Sequence, residues 1–411
     1  MQTFRVVKVT QSRLGLGLCF WAACTSLASC QAPKFRTQFS QSQPDPAWDA
    51  FFTRTSSWNG GDIIHSVDLG DHRTLWLFGD SIFGPIEGGH RVGDRSKMLR
   101  AGVAWHSTPK NGEAPTFDSV TFAGPKPFKG ANVVSWAAPT PGLFPAGSWY
   151  WLMNDGVRIK SPTDHLVLFA TAIGPAGNPD GMWDFRRVGG AIIEISNPAA
   201  PPDQWKAAQA VNPLVNADPR HGEPPRAGDN HAVAILPSPD GASFYLYGVH
   251  YATDRSKSLI VGTANVANLS QPEKWTFFDG SGWRASAAAA KVIATDVPDE
   301  FTIQRVRRSG RDVLVMVQIE TFGSRHLIAR TALKPEGPWS TGVRIYETPD
   351  YGKSSFVYAA KGHVHLSRPG ELLVSYAVNA DLGRVFNEPS LYRPNFVRVP
   401  LEALPEPLNG P

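Results

Sequence analysis

Two aspartates stand out first by type and placement. Asp80 stands within the stretch Arg73 to Gly84, RTLWLFGDSIFG, directly after the bulky run Leu75-Trp76-Leu77-Phe78 and a glycine. A strand that stays apolar on both faces is buried on both, so its terminal carboxylate marks an exit from the core. Asp62 heads the preceding alternating run, Ile63 to Val67. Paired as an antiparallel hairpin about the turn Asp68-Leu69-Gly70-Asp71, the two runs bring Asp62 and Asp80 to one rim. Two carboxylates flanking one bond are what glycoside cleavage needs, one as proton donor and the other as nucleophile or base. The expected roles are Asp62 as acid and Asp80 as nucleophile or base. The competing assignment is structural: Asp and Asn also cap turns through their own backbone.

Other polar groups fall at comparable places. Asp229 and His231 open the apolar run Ala232 to Leu236. His250, Glu320 and Asn379 each follow an apolar strand, as Asp80 does. Together they suggest a hydrogen-bonding funnel for sugar hydroxyls, with Trp136 as a stacking platform. Arg91, Arg95 and Arg100 lie on the first long insertion, as anion ligands or as plain surface. His363 and His365 alternate along a strand, but no third ligand or cysteine accompanies them, so no metal is assigned. No cofactor is expected either: a phosphate-cradling glycine loop is missing. Gly79-Asp80-Ser81 lacks the second glycine and the helix of a hydrolase nucleophile elbow.

The elements that must position these groups are strands. Among 411 residues, 38 are Gly, 35 Pro, 22 Phe and 13 Trp, a composition of short strands and punctuated turns. No amphipathic helix of 12 or more residues is written into the chain, and the Ala-rich candidate Ser286 to Ile293 is short. Five apolar strands recur at blade-like distances: Leu75–Phe78, Trp149–Met153 with Leu166–Ala172, Ser243–Val249, Val313–Ile319 and Leu372–Val378. The fold class read from this is all-β, a five-bladed β-propeller over residues 48–400, with a sandwich or a β-helix as the alternatives. Residues 401–411 read as a frayed tail. Pro- and Gly-rich insertions at 83–99, 111–130 and 197–229 are long enough to be functional.

The N-terminus reads as an export signal. Arg5, Lys8 and Arg13 precede the apolar run Leu14 to Ala28, and Leu27-Ala28-Ser29-Cys30 resembles a bacterial lipobox. Residues 1–29 are then a signal peptide, Cys30 the lipidated residue, and 30–47 a tether. The protein is expected on the outward side of a bacterial membrane, in the outer membrane where there are two. Cys19 and Cys24 leave with the signal, so no disulfide remains. The net charge of +4, with no basic stripe, argues against a nucleic-acid partner. The expected partners are a polysaccharide or oligosaccharide and the lipid anchor, for a monomeric protein.

Trp58-Asn59-Gly60-Gly61-Asp62, Leu75 to Ser81, Leu372 to Asn379 and Tyr392 to Val399 together resemble the DUF4185-type family of secreted five-bladed propellers, which includes bacterial endo-D-arabinanases. The resemblance implies glycoside hydrolysis of a cell-wall or extracellular polysaccharide, a furanan such as arabinan among them. It places catalysis on two first-blade aspartates, here Asp62 and Asp80. The segment Lys97 to Gly102 departs from the family, where an Asn-bearing segment is usual. A non-catalytic carbohydrate-binding surface lipoprotein is the second reading, and a structural protein–protein module the third.

Overall fold

The computed structural model describes residues 36–37, 41–108, 110–116, 120–122, 134–135, 137–178 and 184–408. Cys30, Trp136 and the segment before residue 36 lie outside them. The described chain is all-β: its α-helices are two single turns, Pro46–Phe51 and Leu382–Asn387. Among the described residues no helix is long and apolar enough to cross a membrane.

Five stretches of chain each fold into their own antiparallel meander. The first holds His65–Asp68, Arg73–Leu77 and Val103–Ser107, and the second Trp149–Trp151, Gly156–Ile159, His165–Gly174 and Arg186–Ile195. Gly228–Pro237, Ser243–Tyr251 and Lys257–Asn265 begin the third, and Phe301–Arg308, Arg311–Ile319 and His326–Ala332 the fourth. The fifth holds Phe356–Gly362, Glu371–Asn379 and Pro394–Pro400. The predicted hairpin forms, with His65 opposite Leu77 and Asp68 opposite Thr74.

The double-sided apolar strands have a simple cause. Leu75 and Leu77 pack with Leu166, Leu168 and Ile193 of the second sheet, whereas Trp76 and Phe78 pack with Leu373, Ala377 and Phe396 of the fifth. Further apolar clusters join the second sheet to the third, the third to the fourth and the fourth to the fifth. Each sheet is thus covered on both faces, and alternate side chains serve different neighbours.

The first strands of the sheets lie side by side and are tied by polar bonds. His65 Nε2 meets Asp155 Oδ1 at 2.6 Å, and Asn154 donates to the Ala232 carbonyl at 3.1 Å. The Gly362 N–H donates to Thr302 Oγ1 at 2.7 Å, and Ser66 bonds His363 Nδ1 at 2.6 Å. His363 is completely buried between Ser66 and Ser375, and burial holds it well below the usual histidine range. It serves packing, and among the described residues no group of three or more His, Cys, Asp or Glu is arranged to hold a metal ion.

Both chain ends differ from expectation. Gln43–Pro44 pairs with Pro394–Pro400, so the ordered unit begins before residue 48. Asp45 caps the helix Pro46–Phe51 by accepting from the Ala47 and Trp48 N–H groups, and it forms a buried 2.5 Å ion pair with Arg398. At the other end, residues 401–408 are not frayed. Leu401, Ala403 and Leu404 are buried, and the Pro405 carbonyl accepts from Arg308 and Thr331. An apolar Leu-x-x-Leu pattern had the content to be packed, and the neighbouring prolines masked it.

Candidate active site

A crease crosses the first sheet and makes the site. Three neighbouring strands are interrupted at one level. Trp58–Gly61 is separated from His65–Asp68 by Asp62-Ile63-Ile64, Arg73–Leu77 from Asp80–Phe83 by Phe78-Gly79, and Lys97–Arg100 from Val103–Ser107 by Ala101-Gly102. Bonds still cross it: the Gly79 N–H donates to the Asp62 carbonyl at 3.2 Å and the Ala101 N–H to the Gly79 carbonyl at 2.8 Å. Ile63 and Ile64 sit at φ 72° and 52°. Positive φ costs a β-branched residue about 1–3 kcal/mol, and is kept where surrounding structure enforces it. Both isoleucines are buried, and their side chains supply that enforcement. The bend turns Asp62 out of the ladder and towards Asp80.

Asp62 is held from every side. Its Oδ1 accepts from the Asp80 N–H at 2.9 Å; its Oδ2 accepts from the hydroxyls of Tyr358 at 2.7 Å and Tyr392 at 3.1 Å. Both tyrosines come from the fifth stretch, nearly three hundred residues further on or more. Burial pushes the Asp62 carboxyl up, and the three donors pull it back. Asp80 accepts from the Trp151 indole N–H at 3.1 Å through Oδ1. Burial and then the Asp62 charge push Asp80 up to about 7, against Arg100 and the Trp151 bond. Arg100 stands opposite Asp80 in the ladder and lies 3.7 Å over the Trp149 ring. Both carboxyls are half-buried, so solvent or a ligand can still touch them.

A third carboxylate, absent from the sequence reading, joins them. Glu300 precedes the first strand of the fourth sheet, Phe301–Arg308, and its Oε2 is 3.6 Å from Nζ of the fully buried Lys361. Burial pushes Glu300 up to about 7 despite Lys361, and the charge of Asp62 adds to the rise. Its signal was in the sequence: Asp299-Glu300 stands before an alternating strand as Asp62 does.

The remaining predicted groups are placed otherwise. His231 is fully buried against the Phe277 ring, 5.0 Å away, because the bulge at Asn230–Ala234 folds it into the sheet packing. It is closed to a ligand. Asp229 is engaged by His250 at 2.7 Å. Glu320 is held by Arg344 at 2.6 Å and His326 at 2.7 Å, which keep its carboxyl below the usual range despite some burial. Asn379 caps its own turn by accepting from the Ala380 N–H. His250, Glu320 and Asn379 stand at the ends of second strands and Asp229 and His231 at the start of a first one, and each is committed to a neighbour in its own sheet or turn. The groups gathered around Asp62 come from the crease itself, from the first strands of the second, fourth and fifth sheets, and from Tyr392. Of the insertion arginines, Arg91 is buried and clamps Asn59 and the Leu391 carbonyl, Arg95 pairs with Glu87 at the surface, and Arg100 alone stands at the site.

A family model described as a domain of unknown function (DUF5005) matches residues 45–401. The chain belongs to this family. That corrects the DUF4185 resemblance: the shared Trp-Asn-Gly-Gly-Asp and Phe-Gly-Asp-Ser motifs are short, whereas the match runs through every sheet. No curated protein matches. Among solved structures, a protein described as a "putative hydrolase" from Bacteroides ovatus is 18% identical, with a TM-score of 0.66 over 87% of this chain and 90% of that one. That likeness establishes a shared fold. A GH43_1 enzyme from Xanthomonas citri complexed with xylotriose is 12% identical, with a TM-score of 0.42 over 88% and 89% of the two chains. An α-L-arabinofuranosidase from Podospora anserina in complex with cellotriose is also 12% identical, at 0.40 over 84% and 96%.

Proposed function

We propose that the protein is a glycoside hydrolase working at the crease of a five-bladed propeller. The observation that carries this is the unlike state of two adjacent carboxyls. Burial raises Asp62, but both its oxygens accept from three donors that favour its ionised form, whereas Asp80 is pushed up to about 7 and has an oxygen to spare. A pair whose environments drive it apart supplies an acid and a base at one pH. Asp80 then protonates the leaving oxygen, and Asp62 acts as nucleophile or activates water, the reverse of the roles first expected. Arg100, whose charge favours ionised Asp80, stabilises it once the proton has gone. Glu300 sets the field and binds hydroxyls.

The ring of bonds and apolar clusters from the first sheet round to the fifth supports the five-blade arrangement. The substrate class is a cell-wall or extracellular polysaccharide. Export through a lipidated Cys30 belongs to the same reading and is checked by lipid labelling that Cys30→Ser abolishes. Reducing-end release across α- and β-linked furanans and pyranans tests the hydrolase. Asp62→Asn and Asp80→Asn should each lose about 10²–10⁴-fold in rate with an unchanged circular dichroism spectrum. Turnover retained in both variants sinks the assignment. Saturable glycan binding without any release by the intact protein leaves a binding lipoprotein instead.

A further inference from the structure

A second recess of about 350 Å³ is lined by the loop 216–228 ahead of the third sheet and by the turn at 251–257. Its volume suits a ligand the size of a sugar unit. Five of its lining residues are cations, Arg187, Arg220, Arg226, Arg255 and Lys257, against the carboxylates Asp218 and Glu223. Arg187 pairs with Asp218 at 2.5 Å and Arg226 with Glu223 at 2.9 Å. Lys257 pairs with Asp299 just outside the lining, at 2.5 Å. The side chains of Arg220 and Arg255 are exposed and make no ion pair among the described residues, so the mouth of the recess carries two uncompensated guanidinium groups.

The floor is built to keep its shape. Arg187 is only 8% exposed, lies 4.1 Å over the Tyr251 ring and donates to the Asn216 carbonyl at 2.8 Å. The Tyr251 hydroxyl donates to Asp299 at 2.7 Å, and Asp299 is the residue next to Glu300. A rigid floor therefore joins the recess to the carboxylate cluster.

We propose that this recess binds the anionic group, carboxylate or sulfate, of a charged polysaccharide whose chain continues to Asp62 and Asp80. The proposal rests on the hydrolase reading for where the chain leads. The guanidinium fork matches either oxyanion in two parallel hydrogen bonds. A glycan is favoured over other polyanions because Tyr251 and Asp299 link the floor of the recess to Glu300 of the carboxylate cluster.

Calorimetric titration of the intact protein tests it with three oligosaccharides of equal length: a galacturonan, a sulfated galactan and a neutral xylan. At least one anionic ligand should bind roughly tenfold or more tighter than the neutral one, with affinity falling as salt rises. Arg220→Glu and Arg255→Glu, both at exposed positions, should each weaken that ligand about tenfold or more and leave the neutral one unchanged. A preference for galacturonan names a uronate, and one for the galactan a sulfate ester. Equal affinity for the neutral ligand, variants that bind like the parent, or equally tight binding of single-stranded DNA overturns the proposal. Titration needs no turnover, so failure of the hydrolase reading leaves the binding result standing. Failure of the recess leaves neutral-glycan cleavage untouched in the charge-reversed variants.

Discussion

The ionisation of Asp80 is the quantity on which the chemistry turns. A carboxyl raised on folding takes up protons as the chain folds, so it makes stability fall as pH climbs from about 4 towards about 7. Asp80→Asn removes that term. The variant should melt above the parent at pH ~8, with the gap narrowing on acidification and closing near pH ~4, where Asp80 is protonated in both the folded and the unfolded state. A gap that widens on acidification refutes the sign. If Asp80 is the proton donor of the proposed hydrolysis, kcat/KM should show a basic limb near pH 7 that belongs to the Asp62–Asp80 pair as a whole. Tyr358→Phe and Tyr392→Phe each remove one donor to Asp62 Oδ2. A hydrogen bond to a charged group contributes about 1.5–3 kcal/mol, so each should lower kcat by roughly ten- to a hundredfold and move the acid limb upward. Glu300→Gln should shift the profile without abolishing turnover. Complete loss there would transfer the donor role to Glu300.

At the scale of the element, the crease matters more than any strand. Gly79 allows two strands to close on it: a Cβ there would stand 2.3 Å from Ile63 Cδ1 and 2.7 Å from Asp62 Oδ1. Gly79→Ala therefore forces apart the segment that aims Asp62. Overpacking of this kind costs about 1–3 kcal/mol, and activity should fall further than the stability loss explains. The check is to compare denaturant midpoints with turnover measured well below the transition. Asp62 and Gly79-Asp80 were legible as a pair because hairpin register follows from a short turn and an alternating run. The bend at Ile63-Ile64 was not, since isoleucine favours the extended region and only packing holds it elsewhere.

Across the whole molecule, an early and a late segment of the described residues meet in the fifth sheet. Gln43–Pro44 pairs with Pro394–Pro400, and the buried Asp45–Arg398 ion pair locks the joint. Asp45→Ala removes the nearer carboxylate of a buried guanidinium, leaving it Glu371 at 3.5 Å, and also removes a helix cap. Breaking such a pair costs about 3–5 kcal/mol, so the melting temperature should drop by several degrees. A drop no larger than that of an exposed control such as Glu406→Ala would show that the joint is weak. The sequence reading began the ordered unit at Trp48 because residues 31–47 look polar. Ser42 to Asp45 are held by partners more than three hundred residues away.

The primary sequence by itself determined the all-β class, the positions of the main strands, the first hairpin and the nearness of Asp62 to Asp80. These depend on periodicity and short turns, which are local. Only the tertiary structure decided which polar groups reach the crease. His231 enters the core, Glu320 is spent on Arg344, and Tyr358, Tyr392, Trp151 and Glu300 arrive from three other sheets. Which strand beginnings share an entrance is set by how sheets pack on one another, and no spacing along the chain encodes that.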